Sequence, residues 1–336
     1  MIDLFSEKLQ QAILDKSPFA LLRKPNEKLV RLIVNDGSEL NSIVFHSFDS
    51  TIEKEISDAN PLFIDQHRFN FDFEIDLKQS PSNAALSQSE YEEIIQETIN
   101  TIQTKVIRKV VMSRRKVVDN QSYNLLKSYK NLMDQHATAL VFLWMNPSEE
   151  VWMGATPELL LSKSGSQIKT VSLAATKRPE DEWTEKEIDE QQIVTDFILD
   201  CISDTENQKV IGPETVRAGK FEHLKTYISA EITEDYPLEN LLANLHPTPA
   251  LCGMPKQAAF DYIVEHERYD REFYSGYIGL IQGDEREYYV NLRSSQLFKD
   301  VIYIYVGGGI TATSEAHNEW KETELKSSTI LNALTS

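Results

Sequence analysis

Five strand-like stretches follow one another between residues 105 and 175, and they constrain the possible folds more than any other feature of the sequence. They are rich in β-branched, leucine and aromatic residues and are separated by short loops, which is typical of strands joined as hairpins. In order, they read "KVIRKVVMSRRKVV", "ALVFLWM", "EVWMGAT", "ELLLSKS" and "QIKTVSL". Further on, "REYYVNLRSSQLF" and "VIYIYVGGG" predict another hairpin that turns at Lys299 and Asp300.

Amphipathic segments between and after these strands predict helices. The helices are expected at about residues 184–203, 236–245, 254–269 and 315–333. Hairpin strands with interspersed long helices do not match the alternating units of a parallel α/β protein. We therefore expect an α+β fold in which large antiparallel β-sheets form a sandwich-like core flanked by helices.

The first 80 residues predict an amphipathic helix and then strands. The expected strands read "FALLRKP", "KLVRLIVND", "SIVFHSF" and "RFNFDFEIDL". Residues 76–89 are the most polar, linker-like stretch, and Ser87 or Ser89 can cap the helix that follows it. We place a boundary there, with residues 1–84 as an N-terminal part of the same fold and residues 85–336 as the region that carries the site.

The charge of the chain narrows the classes of partner. Lys and Arg number 34 against 53 Asp and Glu, for a net charge of −19, which disfavours non-specific binding to nucleic acid or anionic membranes. No apolar run approaches the roughly 20 residues that a membrane span needs. The acidic residues in "MIDLFSEKLQQAIL" do not suit a signal peptide, and two cysteines make no disulfide framework. The sequence therefore predicts a cytoplasmic protein.

The glycines concentrate towards the end of the chain, where "GGG" precedes a predicted helix. Seven of the 12 glycines lie at or after Gly253. On the helix, Glu319, Glu322 and Lys326 share one face. This face is either a solvated surface with an ion pair or part of a site for a metal ion and an anion. A second Glu-x-x-Glu pair, Glu187 and Glu190, lies on the helix predicted at 184–203, and four carboxylates without histidine or cysteine suit Mg²⁺.

Three more charged residues stand in apolar surroundings. Lys109 precedes two valines on a predicted strand, where it must be paired or held neutral, and a neutral lysine can act as a general base. Glu158 precedes three leucines, and a carboxyl group beside apolar surface tends to be protonated and can act as an acid. Arg293, placed mid-strand, needs an anion. The alternatives are a strand-edge lysine in solvent, an ordinary glutamate and an internal salt bridge.

In their order along the chain, these stretches resemble the chorismate-utilising enzymes, and isochorismate synthases most closely. The resemblance covers about residues 85 to 333. It rests on the blocks "KVVMSR", "GATPELLLSK", "SLAAT", "LHPTPALCGMPKQAA", "YDREFYSGYIG", "NLRSS" and "VGGGITATSEAHNEWKETELKSSTIL". The implied fold is the chorismate-utilising enzyme fold, and the implied reaction is the reversible, Mg²⁺-dependent isomerisation of chorismate to isochorismate, for menaquinone or siderophore biosynthesis.

The resemblance also implies roles for individual residues. Lys109 would be the base that activates water for attack on C2 of chorismate, and Glu158 the acid that protonates the hydroxyl leaving C4. Glu190 and Glu322 would bind Mg²⁺, with Glu187 and Glu319 as outer partners of the metal. The implied substrate-binding residues are Arg293, Tyr274, Gly307, Gly309, Lys326 and Thr176, with the glycines in a loop whose backbone N–H groups meet a substrate carboxylate.

The same resemblance indicates which members of the family this chain is unlike. Lys109 stands where anthranilate synthases tend to carry glutamine, and Ala174 stands where aminodeoxychorismate synthases carry a lysine. The alternative that stays open is salicylate synthase, which shares the lysine, the glutamates and the arginine and then eliminates pyruvate. A catalytically silent homologue is disfavoured because Lys109, Glu158, Glu190 and Glu322 are all present. Ala175 replaces a usual glycine, which matters if that position requires a positive φ. The family resemblance implies a monomer.

Overall fold

Two antiparallel sheets dominate the computed structural model, which describes residues 2–38, 40–82, 84–146, 148–218 and 221–335. With strands numbered in chain order, the first sheet runs β13 (Gly253–Met254), β6 (Lys109–Asp119), β17 (Val301–Ile310), β16 (Ser294–Leu297), β8 (Val151–Thr156), β7 (Leu140–Met145), β1 (Phe19–Arg23), β2 (Leu29–Val34) and β5 (Leu62–Asp65). The second runs β11 (Glu206–Ala218), β12 (Phe221–Glu231), β10 (Gln167–Lys177), β9 (Leu159–Ser164), β15 (Glu285–Val290), β14 (Tyr277–Gln282), β3 (Asn41–His46) and β4 (Glu53–Ser57).

Helices cover the outer faces of the two sheets. They are α1 (Ile2–Leu14), α2 (Gln88–Gln103), α3 (Leu125–Gln135), α4 (Glu185–Cys201), α5 (Leu238–Leu245), α6 (Lys256–His266) and α7 (Ala316–Leu331). Helix α7 packs on β17, α4 on β10 and α6 on β6, so three helices lie against the strands that build the site. Among the described helices, none is both long and apolar enough to cross a membrane.

The core between the sheets follows from the two-residue period of the strands. On β1, Ala20 and Leu22 face the second sheet, while Phe19 and Leu21 face the core beneath the helices. Across the interface, Trp144 of β7 stacks on Phe45 of β3 with ring centroids 3.5 Å apart and an interplanar angle of 1°. The expected α+β fold with a sandwich-like core is therefore confirmed.

The N-terminal residues are woven into both sheets. Strand β1 pairs with β7 and β2, and β3 pairs with β14, so strands from before residue 84 lie beside strands from the second region. The prediction of a strand at "RFNFDFEIDL" is wrong. Phe69 and Phe71 are buried in alternation with exposed residues as expected, but residues 69–77 have no strand assignment. Apolar and polar residues alternate here because one face of the segment is buried, and not because the segment pairs with another strand.

Helix α2 shows how the local sequence sets an element. Ser87 accepts a hydrogen bond from the backbone N–H of Glu90, and the Glu90 carboxylate accepts one from the backbone N–H of Ser87, which closes a capping box. Its buried residues recur at helical spacing and pack against the core next to β6. Of the candidates Ser87 and Ser89, the structure selects Ser87.

Other elements also differ from the expectation. Helix α3, strands β4, β5 and β13 and the β11–β12 hairpin were not expected, although all four later helices lie where they were predicted. The segment "REYYVNLRSSQLF" is not one strand. Strand β15 belongs to the second sheet and β16 to the first, so the chain crosses between the sheets at residues 291–293. The prediction that Arg293 lies mid-strand is therefore wrong.

Candidate active site

A cavity of about 310 Å³ opens where the two sheets meet under α4 and α7. Its volume lies in the range of small-molecule sites, which is about 300–1,000 Å³. Eleven residues selected from the sequence line it: Lys109, Glu158, Glu187, Glu190, Tyr274, Arg293, Gly307, Gly309, Glu319, Glu322 and Lys326. The side chain of Thr176 lies outside the described part of the structure.

Lys109 projects into this cavity from the first residue of β6. The two-residue period of the strand also brings Val111 to the cavity wall, while Val110 and Met112 are buried on the other face. The Lys109 ammonium lies 3.8 Å from Glu190 Oε2 of α4. Of the two states expected for this lysine, paired or held neutral, the structure shows a carboxylate within ion-pair distance.

The prediction that the three glycines lie in a loop is wrong. Gly307, Gly308 and Gly309 lie within β17 and pair with Ser113, Met112 and Val111 of β6. Space in the cavity favours glycine at these positions. A Cβ on Gly309 would stand 2.7 Å from Lys109 Cε, and a Cβ on Gly308 would stand 3.0 Å from Glu319 Oε2. The missing side chains let the lysine and the carboxylate lie against the strand.

Helix α7 presents a cation and two carboxylates to the cavity. Lys326 Nζ lies 2.7 Å from Glu322 Oε1 and donates a hydrogen bond of 2.8 Å to the carbonyl of Gly307. The Lys326 ammonium lowers the pKa of Glu322, against the effect of burial. Burial alone would lower the pKa of Lys326, but Glu322 holds it above its usual value. Both groups are therefore charged at neutral pH.

The four glutamates suit Mg²⁺ in their chemistry, and they line the same cavity. All are carboxylates on one cavity, and the bare backbone of Gly308 leaves room beside Glu319 and Glu322. Glu187 also accepts hydrogen bonds from the backbone N–H and hydroxyl of Thr184, which closes a capping box on α4. In the described residues, no three acidic, histidine or cysteine side chains converge closely enough to hold a metal ion as they stand.

Glu158 lies in the link between β8 and β9, where the chain crosses from the first sheet to the second. Its side chain is almost completely buried, and burial raises its pKa from 4.5 to about 7, although Arg293 and Lys225 act in the opposite direction. The carboxyl group is therefore substantially protonated at neutral pH, which is the state that a general acid requires.

Arg293 lies at the other crossing and is held by an unusual backbone. Its φ is +48°, in the left-handed region that few non-glycine residues adopt. The two crossings are hydrogen-bonded to each other: Val290 N donates to the carbonyl of Glu158 at 3.0 Å, and Ala155 N donates to the carbonyl of Arg293 at 3.1 Å. Burial lowers the pKa of Arg293, while Glu158 raises it. The guanidinium and the acid are thus positioned together.

Tyr274 completes the opposite wall of the cavity. Its ring stacks on Tyr305 of β17 with centroids 5.5 Å apart, and burial raises its pKa, so the phenol keeps its proton. Tyr305 in turn donates a hydrogen bond to Gln296 Oε1 at 3.0 Å. The stack fixes the orientation of a hydroxyl donor at the cavity wall.

The sequence did not single out His223, which also lines the cavity. Burial lowers its pKa to about 4, so the imidazole is neutral, and its Nδ1 lies 3.1 Å from the carbonyl of Ala175. Ala175 has φ +59° at a bulge in the β10–β12 pairing, so this position does require a positive φ. Because strand β12 was not predicted, its alternation could not mark His223 as facing the same space.

The fold and the cavity define a class of protein before any comparison is made. Arg293 and Lys326 supply positive charge in a chain of net charge −19, a buried carboxyl group with a pKa of about 7 faces the cavity, and a lysine stands on a different wall. Such a site binds a small anionic molecule and can transfer protons at two of its positions. The protein therefore has the features of an acid–base enzyme for an anionic substrate.

The chain belongs to the chorismate binding enzyme family, whose model matches residues 40–335. It is 28% identical to the isochorismate synthase EntC of Escherichia coli over 263 residues, which cover 73% of this chain and 67% of EntC.

Two solved structures share the fold. DhbC from Bacillus anthracis superposes with a TM-score of 0.81 at 21% identity, over 98% of this chain and 99% of that one. MenF, the menaquinone-specific isochorismate synthase of Escherichia coli, gives 0.79 at 19% identity, over 95% of this chain and 89% of that one. At these identities the likeness shows the architecture alone.

Proposed function

We propose that the protein is an isochorismate synthase, which converts chorismate and isochorismate into each other. The observation that carries the proposal is Glu158, a buried carboxyl group with a pKa of about 7, in the cavity that also holds Lys109. An acid that is protonated near neutral pH can protonate a leaving hydroxyl group, and a lysine on a different wall can take a proton from water. The relatedness to EntC supports the same reaction.

In the proposed mechanism, Lys109 removes a proton from a water molecule as its oxygen attacks C2 of the chorismate ring. The ring double bonds shift, and the C4 hydroxyl leaves as water after taking a proton from Glu158. One water is consumed and one is released, so the composition of the substrate does not change. Arg293, Lys326 and the Tyr274 hydroxyl hold and orient the anionic substrate, because they are the cations and the buried donor on the walls.

We further propose that Mg²⁺ is bound by Glu190 and Glu322, with Glu187 and Glu319 as outer partners. The metal would supply positive charge for the substrate carboxylate and draw the acidic walls together around it. Both proposed ligands face lysines in the structure: Glu190 lies near Lys109 and Glu322 near Lys326.

The test is to incubate the purified protein with chorismate, with and without Mg²⁺, and to follow the products by chromatography with absorbance and salicylate fluorescence detection. Isochorismate that rises to a plateau and is absent with EDTA supports the proposal. Steady release of salicylate and pyruvate would move the protein to salicylate synthase. Failure of any turnover by a folded, Mg²⁺-supplied protein would contradict the proposed activity.

The proposal includes a monomer that acts in the cytoplasm. The resemblance of the sequence to its family supports the monomer. Light scattering coupled to size-exclusion chromatography tests this, and a mass near twice 38.5 kDa would contradict the monomer.

A further inference from the structure

A second cavity of about 440 Å³ lies on the other side of Lys109. Its mouth is formed by exposed residues, among them Arg108, Asp189 and Ala312, and its floor by the buried residues Val194 and Pro249. It therefore opens to solvent and extends inward. A water molecule takes about 30 Å³ of liquid volume, so the cavity has room for several.

The two cavities meet at Lys109, the proposed general base. Among the described lining residues, Lys109 and Glu190 are the two that belong to both cavities. Their ion pair of 3.8 Å thus forms part of the partition between the cavities. Glu158 and Arg293 line the first cavity and do not line the second.

The lining of the second cavity makes it a poor site for the anionic substrate. Its charged residues, Arg108, Lys109, Asp189 and Glu190, balance to zero, and most of the others are apolar. The first cavity, by contrast, has Arg293 and Lys326 as anion partners. A substrate bound in the first cavity would therefore leave the second one open to water.

The stoichiometry of the proposed reaction requires such access. Each turnover consumes one water at Lys109 and releases another next to Glu158, on a different wall. When the substrate fills the first cavity, it stands between these groups and obstructs exchange of water between them. Fresh water must then reach Lys109 from another side.

We propose that the second cavity is the route by which the attacking water reaches Lys109 while the substrate occupies the first cavity. This inference rests on the proposed function for its chemistry, whereas access to Lys109 can be tested without turnover. The cavity is a second binding site of the enzyme, for water and for small neutral molecules of similar size.

Two substitutions fill the second cavity from opposite walls. Ala312→Trp acts from the exposed loop after β17, and Ile193→Trp acts from the partly exposed face of α4. The matched control is Val106→Trp, because Val106 is 67% exposed and its side chain lines neither cavity. We expect each filling variant to lower kcat about tenfold or more with KM within about twofold, and the control to change neither.

Carbamoylation by cyanate gives a readout that a merely structural change would not move. Isocyanic acid, a small neutral molecule, adds to an unprotonated amine to form a urea, and mass spectrometry of the Lys109 peptide measures the rate. With Mg²⁺ and saturating chorismate, we expect wild-type Lys109 to react within about twofold of the substrate-free rate, and Ala312→Trp to react about tenfold more slowly.

The opposite pattern would overturn the proposal. If chorismate alone protects Lys109 in the wild type, and both filling variants keep the wild-type kcat, water does not enter by the second cavity. If the wild-type protein forms no isochorismate, the proposed function fails. The labelling of Lys109, with and without Ala312→Trp, would then still decide whether the second cavity reaches that residue.

Discussion

Replacing Glu158 by glutamine should inactivate the enzyme and stabilise the protein at the same time. The change keeps the size of the side chain and removes its ionisation. Without a proton to donate, the variant should lose about 10²- to 10⁴-fold in kcat, the usual contribution of general acid catalysis. Because burial disfavours the ionised form of Glu158, removing that form should favour the folded state at neutral and alkaline pH.

The size of the gain in stability follows from the pKa. Burial raises the pKa of Glu158 from 4.5 to about 7. In the unfolded chain the group ionises near 4.5, while in the folded chain it keeps its proton up to about 7, so wild-type stability falls as the pH rises between these values. One pH unit corresponds to about 1.4 kcal/mol, so the loss reaches about 3 kcal/mol above pH 7. The glutamine variant avoids this loss.

Urea unfolding at several pH values measures the effect. The free energy of unfolding of Glu158→Gln should equal that of the wild type at about pH 4 and exceed it by about 3 kcal/mol at pH 8. The matched control is Glu93→Gln, the same chemical change at an exposed position of α2, which should alter stability by less than about 0.5 kcal/mol at either pH.

Activity supplies an independent check. In the wild type, kcat/KM should fall as the pH rises through about 7, because Glu158 then loses the proton it must donate. A glutamine variant whose stability follows the wild type from pH 4 to pH 8 would refute the argument from burial. A variant that keeps wild-type turnover would refute the assignment of Glu158 as the acid.

Three further predictions concern the cavity walls. Gly309→Ala should lower kcat about tenfold or more because its Cβ would stand 2.7 Å from Lys109 Cε, and steady-state kinetics would show it; an unchanged kcat would mean that the lysine moves freely. Lys326→Met should raise KM for chorismate about tenfold or more, because the site loses a cation, and it should also raise the pKa of Glu322. An unchanged affinity for chorismate in isothermal calorimetry would contradict the first effect. Ala175→Gly should raise the free energy of unfolding by up to about 1 kcal/mol, because φ is +59°; a lower melting temperature would show that the bulge needs the methyl group.

The elements that the sequence predicted well are those in which local chemistry and burial agree. Helix α2 begins at Ser87 because the capping box with Glu90 and the apolar spacing after it favour the same start. On β6, the two-residue period of a strand puts Lys109 and Val111 on one face, and both line the cavity in the structure. The co-location of the candidate site residues could thus be anticipated from pattern and resemblance.

Where the expectations failed, the deciding contacts are distant in sequence. Phe69 and Phe71 alternate as in a strand, yet they pack on Phe5 and Tyr129 without any ladder assigned to their own segment. The glycines of β17 were expected to form a loop whose backbone N–H groups meet a substrate carboxylate. In the structure they leave space for Lys109 and Glu319, which are 200 and 11 residues away from Gly309 and Gly308. The periodicity of a sequence does not show which residue, distant in the chain, packs against a given position.

The sequence pattern also did not predict that the chain crosses from one sheet to the other at Arg293. No turn residue in "REYYVNLRSSQLF" separates the half that pairs with β14 from the half that pairs with β17. The left-handed φ of Arg293 marks the change, and such a conformation in arginine depends on its surroundings.

Because Glu158 and Arg293 lie at the two crossings between the sheets, their distance from Lys109 depends on how far apart the two sheets lie. Lys109 belongs wholly to the first sheet, whereas the acid and the arginine lie on the two links that bridge to the second. The gap between the sheets, filled by side chains such as Trp144 and Phe45, therefore helps to set how far Glu158, the proposed proton donor, stands from Lys109, the proposed acceptor. A core substitution far from any substrate atom would retune that distance, and with it the size of ring the enzyme can work on.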